Sequence, residues 1–225
     1  MGESIAFPPS HCSSCNHPLS ILDLIPVISF ITLRGRCRYC REKIAVQYPL
    51  VELLVALLFV MVYRIFGLSF EGVITSVLIC LLVIASFIDL NLMIIPNAIN
   101  LMIAITGTAY LLFGNRVSLS ESIIGFLIGG GILLLIGQLS CWLLKKEGMG
   151  GGDIKLSAAC GLYLGTIKTI YALMFAVYSA GIVLVIMLIL KKIKKNQCVP
   201  FGPFLSAGVI AVVLYYEYFH QFFFG

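Results

Sequence analysis

Only three aspartates occur in the whole chain, Asp23, Asp89 and Asp153. Two of them stand where an ionisable group is costly. Asp89 closes the apolar run VLICLLVIASFID, and Asp153 follows Gly148-Met149-Gly150-Gly151-Gly152 and opens another apolar stretch. A carboxyl at membrane depth is a functional candidate by default. At equal depth, the two can face each other across a helical bundle and share one proton, because adjacent like charges do not readily ionise together. One carboxylate then takes a proton from water while the other protonates a peptide carbonyl. Plainer roles exist for both: Asp is common at helix N-caps, and Asp89 can simply mark the membrane edge. Gly150, Gly151 and Gly152 leave the backbone free to flex or to approach a bound peptide closely. They match neither a dinucleotide fingerprint nor a phosphate loop, so no nucleotide or nucleic acid is expected as a partner. Lys155 is either a charge partner for Asp153 or a marker of the membrane side.

A second set of residues suits metal. Cys12-Ser13-Ser14-Cys15 and Cys37-Arg38-Tyr39-Cys40 form two C-x2-C pairs separated by 21 residues. That spacing fits four thiolates around one tetrahedral zinc ion, each turn offering two sulfurs. Such a closed site has no open position and is structural, a staple for a small polar block. Disulfides are the rival reading, disfavoured on a reducing cytoplasmic side. Cys80, Cys141, Cys160 and Cys198 show no pairing pattern and read as small apolar packers. His11 and His17 read as surface residues rather than further ligands. Asp23 reads as a helix cap or surface residue. Glu52 reads as a structural partner for a basic loop, or a contact for a substrate amine.

The elements that must position these groups are hydrophobic helices. The chain is 60% hydrophobic and 11% charged, with mean hydropathy +1.07. A soluble domain carries about twice that charge fraction. Apolar runs predict spans at about 50–66, 71–88, 97–113, 120–144, 154–167, 169–190 and 203–220, each near the roughly 20 residues a bilayer requires or, for the fifth, shorter. The fifth, LSAACGLYLG, is rich in small residues and is expected inside the bundle; Gly129, Gly130 and Gly131 permit another close helix approach. Alternating the loops puts twelve Lys and Arg on the side of the N-terminal block and three, Arg64, Arg116 and Lys168, on the other. The basic side is expected to be cytoplasmic, with both aspartates on it. The sequence thus predicts an all-α polytopic membrane protein in contact with lipid. About seven transmembrane helices (49–225) follow a small cytoplasmic zinc-binding block (1–48).

Five segments, in order, resemble one family. FPPSHCSSCNHPLSILDLIPVISF and LRGRCRYCREKIAVQYPLVELL are similar to the zinc block of bacterial type IV prepilin peptidases, within the wider G-x-G-D aspartate proteases. Phe87-Ile88-Asp89 with Ile95-Pro96-Asn97, Gly150-Gly151-Gly152-Asp153-Ile154-Lys155, and Val199-Pro200-Phe201-Gly202-Pro203-Phe204 resemble the rest of its pattern. The resemblance implies Asp89 and Asp153 as the catalytic pair. It implies cleavage of the basic leader of prepilins or pseudopilins after a glycine, at the cytoplasmic face of the cell membrane. Methylation of the new N-terminus with S-adenosylmethionine is implied by the resemblance alone. Family members usually begin with another span, carrying a G-S-F-L-N-V-like stretch; Met1 falls after it, so that span is expected to be absent. Two other classes compete: a small ion or proton transporter using the two aspartates as a relay, and a catalytically impaired scaffold of a pilus or secretion machine.

Overall fold

A computed structural model describes residues 10–12, 14–114, 117–144, 149–191 and 199–224. Gly148, Cys198, Arg116, Lys145, Lys146, Lys192, Lys194 and Lys195 lie outside them. The chain forms two compact units, Met1–Val60 and Met61–Gly225. In order, the elements are a short 3-10 helix Ile21–Leu24, α1 Ile28–Thr32, α2 Gln47–Phe66, α3 Phe70–Leu92, α4 Asn97–Phe113, α5 Leu119–Leu144, α6 Gly151–Ile189 and α7 Gly202–Phe224. Among the described residues α2, α3, α5 and α6 are long and apolar enough to cross a membrane, and α4 and α7 are shorter apolar helices.

In the larger unit, α6 packs against α4, α5 and α7, while α3 packs against α4 and α7. The buried face of α3 follows helical spacing through Thr75, Leu78, Leu82 and Ala85 and ends in Asp89. Ser69 caps its start by accepting from the Gly72 N–H at 3.1 Å, and Met93 ends it in the left-handed conformation. The corresponding stripe of α4 is Ile99, Asn100, Ile103, Thr106 and Tyr110. Apolar helices in lipid gain little from hydrophobicity alone, so contact comes from small residues and from polar side chains that bridge helices. Gly125 of α5 meets the Gly161 backbone of α6, and Gly129 meets Ser157. Of the expected glycine triplet, Gly130 also packs, against Ala158, whereas a Cβ on Gly131 would touch nothing; Gly125 is the contact the sequence reading passed over. Tyr163 fills the centre, its hydroxyl 2.6 Å from the Thr75 hydroxyl and its ring stacked on Tyr110 at 4.2 Å.

The segment 156–161 is buried on every side, as its small residues predict. It belongs to a helix that breaks at Gly165, where φ is +73° and ψ is −174°, a conformation open essentially only to glycine. The packing shows that the chain doubles back there. Gly152, at the start of α6, packs on Ile95; so does Gly202, at the start of α7. Gly208, about 9 Å further along α7, meets Ala172, which a straight α6 would carry about 30 Å from Gly152. The two spans expected at 154–167 and 169–190 are therefore the two limbs of α6, reversing at Gly165, so that with α2 the described residues hold seven long apolar helical segments. Carbonyls freed by the break are taken by side chains: Ser122 Oγ donates to Leu162 O, and Thr169 Oγ1 donates to Gly165 O at 2.6 Å.

Candidate active site and metal centre

Four elements bring the sequence-predicted residues of the bundle to one end. Asp89 lies in the last turn of α3, 5% exposed, and its Oδ2 accepts the Gly202 N–H at 2.9 Å. A Cβ at 202 would stand 2.7 Å from Asp89 Oδ2 and 3.2 Å from Ile95 Cδ1, so any other residue forces the carboxyl to move. Ile95, in the bend between α3 and α4, packs against Gly202 on one hand and Gly152 on the other, where an added Cβ would meet its own at 3.0 Å. Asp153 follows Gly152 directly. Asp89 and Asp153 thus come to the same end of the bundle, around one isoleucine.

Asp153 is not the cap of its helix. Gly150 is the N-cap, with Gly151 and Gly152 in the first turn, where the sequence suggests a loop. The Asp153 carboxyl turns back over Gly150, whose missing Cβ leaves it room, and Asp153 Oδ1 is buried with no hydrogen-bond partner among the described residues. Gly151 faces open space. Two α4 side chains reach this first turn: Asn97 Oδ1 accepts from Lys155 Nζ at 2.8 Å, and Asn100 Nδ2 lies 3.5 Å from Gly152 O. Lys155 is therefore tied to Asn97. The sequence reading quoted Gly202, Ile95 and Asn97 only as motif letters and passed over Asn100. A glycine set between Phe201 and Pro203 was the available signal for the first of these.

The smaller unit gathers the four predicted cysteines. The sulfurs of Cys12, Cys15, Cys37 and Cys40 all lie within 4.8 Å of one another and could hold a metal ion. Cys12 and Cys40 Sγ are 3.8 Å apart, about the edge of a sulfur tetrahedron with metal–sulfur bonds of roughly 2.3 Å. Both pairs are built by one local design. The first cysteine of each donates its N–H to the carbonyl five residues on, Cys12 to His17 and Cys37 to Glu42. It accepts from the N–H four residues on, of Asn16 and of Arg41, and these two residues have φ of +54° and +60°. Each turn is closed by a bridge, His11 with Pro18 and Arg36 with Lys43. The N–H groups of Cys15 and Ser14 pull the Cys12 thiol down to about 6, so that a thiolate is present at neutral pH.

Around the cluster, His17 stacks on Tyr39 at 3.6 Å and lies outside the ligand set. Asp23 is both cap and cross-link. It accepts from the N–H and hydroxyl of Ser20, from Arg38 Nε at 2.7 Å and from the Tyr39 hydroxyl. The Ser20 hydroxyl, with help from Arg38, holds its carboxyl below the usual carboxylate range against the effect of desolvation. Glu52 has a structural role, with a backbone amide in place of the expected basic loop: its Oε2 accepts the Val27 N–H at 2.8 Å, holding the left-handed residue that precedes α1.

The family model described as the bacterial peptidase A24 N-terminal domain matches residues 1–66, and that described as the type IV leader peptidase family matches 76–188. A prepilin leader peptidase/N-methyltransferase of Aeromonas hydrophila is 36% identical over 211 residues, 93% of this chain and 73% of the relative. Proteins of the same name from Pseudomonas putida and Neisseria gonorrhoeae are 34% and 33% identical, covering 93% and 89% of this chain and 73% and 69% of the relatives. No solved structure matches. With its apolar helices and both family domains in order, this multi-pass membrane protein belongs to the type IV leader peptidase family.

Proposed function

We propose that the chain cleaves the leader from type IV prepilins or pseudopilins at the cytoplasmic face of the inner membrane, with Asp89 and Asp153 as its catalytic carboxyls. The observation that carries this reading is the meeting of both at one end of the bundle, around Ile95. Water is placed between an ionised and a protonated carboxyl. The ionised one takes a proton from water as the oxygen attacks the scissile carbonyl carbon, while the other gives its proton to the carbonyl oxygen. The tetrahedral intermediate then loses its C–N bond. Its nitrogen takes the proton first drawn from water, and the carbonyl re-forms as its hydroxyl proton returns to the second carboxyl. Gly151, open on its Cβ side, leaves room for an extended peptide beside Asp153.

Residues 49–225 form the transmembrane peptidase domain in this reading, and 1–48 a cytoplasmic block. Cys12, Cys15, Cys37 and Cys40 hold zinc there, and the ion supplies a cross-link between the two turns. The name shared by the relatives supports a second step, methylation of the new N-terminus from S-adenosylmethionine. Incubating the purified full chain in lipid with a prepilin and S-adenosylmethionine tests the reading. Mass spectrometry is expected to find the freed leader and a methylated N-terminus. A substrate left intact by well-folded protein would overturn the peptidase reading in favour of a transporter or scaffold; a freed leader with an unmethylated product would remove only the second step.

A further inference from the structure

Asn100 combines three features that packing does not require. It is 6% exposed on the core stripe of α4, its amide nitrogen faces Gly152 O at 3.5 Å, and its Oδ1 is buried with no partner among the described residues. A buried amide with one end unpaired is less stable than an apolar side chain of equal size, because the orphaned oxygen has lost its water. Local rules broken at a cost of this kind mark functional positions. We propose that Asn100 is a positioning residue for the cleavage reaction: its NH2 donates to the Gly152 carbonyl and fixes the peptide from which Asp153 projects. The inference rests on the peptidase reading above.

The surroundings fit that role. The Gly152 carbonyl is in the first helical turn, and the Gly152–Asp153 peptide plane sets the direction of the Asp153 Cα–Cβ bond. Without a restraint, rotation of this plane swings the carboxyl relative to Asp89. Ile95 restrains Gly152 by contact on one side, and Asn97 holds Lys155, two residues beyond Asp153. The Asn100 amide acts between these two points. The 3.5 Å separation is long for a hydrogen bond, and contacts of this sort tighten when substrate is bound. A misplacement of about 1 Å at a reacting group lowers rate by roughly a hundredfold.

Two near-isosteric variants test the proposal, alongside wild type, on a prepilin substrate. Asn100→Leu removes the donor and the orphaned acceptor together, so the protein is expected to keep its thermal stability or gain some. Its kcat for leader release is expected to fall about a hundredfold with little change in KM. Asn100→Asp presents an acceptor to the Gly152 carbonyl when ionised and a donor when protonated. Relative to wild type at each pH, its kcat is therefore expected to rise as pH falls, a recovery Asn100→Leu cannot show. Asp89, Asp153 and Lys155 are the titratable groups nearby. A stable Asn100→Leu protein cleaving at the wild-type rate would overturn the proposal. So would an Asn100→Asp protein that is no faster than Asn100→Leu at any pH. Failure of wild type itself to release a leader would instead sink the underlying peptidase reading.

Discussion

The cysteine cluster and the aspartate end of the bundle hold their polar atoms by opposite means. In the cluster, each half is closed within a few residues by backbone hydrogen bonds and a left-handed residue, and the halves are separated by 21 residues. Only the final meeting is long-range, and a metal ion can drive it, since binding and folding are coupled in small metal sites. At the aspartate end the contacts that hold Asp89 are all distant in sequence. Asp89 is held by an N–H 113 residues away, and the contacts around it depend on missing side chains at Gly152 and Gly202. One site is made by adding a ligand to preformed turns, the other by letting backbones come together. Damage to the two should therefore have different signatures, metal loss in the first and lost chemistry in the second.

The largest separation is expected from Gly202→Ala. Its methyl would collide with Asp89 Oδ2 and push the carboxyl off its N–H donor. Leader release should fall by about a hundredfold, while zinc measured by elemental analysis stays at one per chain. Loss of zinc from this variant would show that the two regions are not independent. Cys37→Ser sharpens the converse. It should release zinc and loosen the block, seen as faster amide exchange, and lower cleavage less than Gly202→Ala does. A Cys37→Ser protein that keeps its metal would break the four-cysteine assignment.

Asp23→Asn is the subtlest. Removing the carboxylate that orders Arg38 and Tyr39 between the second pair of cysteines should speed zinc transfer to a chelator by roughly tenfold, as for other groups that orient metal ligands. Leader release should be unchanged. The Asp23 pKa is depressed in the fold, so its contribution is present above the unfolded value of about 3.9 and lost as pH falls through the lower folded value.

Legibility in the sequence divides along the same line. The cysteine pairs announce themselves, because a C-x2-C turn is a local object and its spacing is its geometry. The spans were legible too, since hydropathy is additive along the chain, and even the double-back near 167–169 was located to within a few residues of Gly165. The candidate carboxyls were legible from cost: Asp89 and Asp153 stand in apolar runs. What held them was not. Neither the Gly202 amide nor the Asn100 side chain differs in type from many others in the chain, and their roles depend on which helices touch. The same limit hid Gly125, whose contact exists only because Gly161 faces it, while the more conspicuous triplet contributes through Gly129 and Gly130. Glu52 shows the reverse case, a membrane-edge carboxylate that turned out to hold a strained backbone N–H.

The central claim is that Asp89 and Asp153 work as one pair, and comparing leader release by Asp89→Asn, Asp153→Asn and the double variant tests it most directly. Each protein should reach the membrane with its zinc, and each single variant should be slowed by on the order of 10⁴, as far as the double, because residues acting as a unit are not additive. A single variant that cleaves near the wild-type rate, or two losses that multiply in the double, would contradict it.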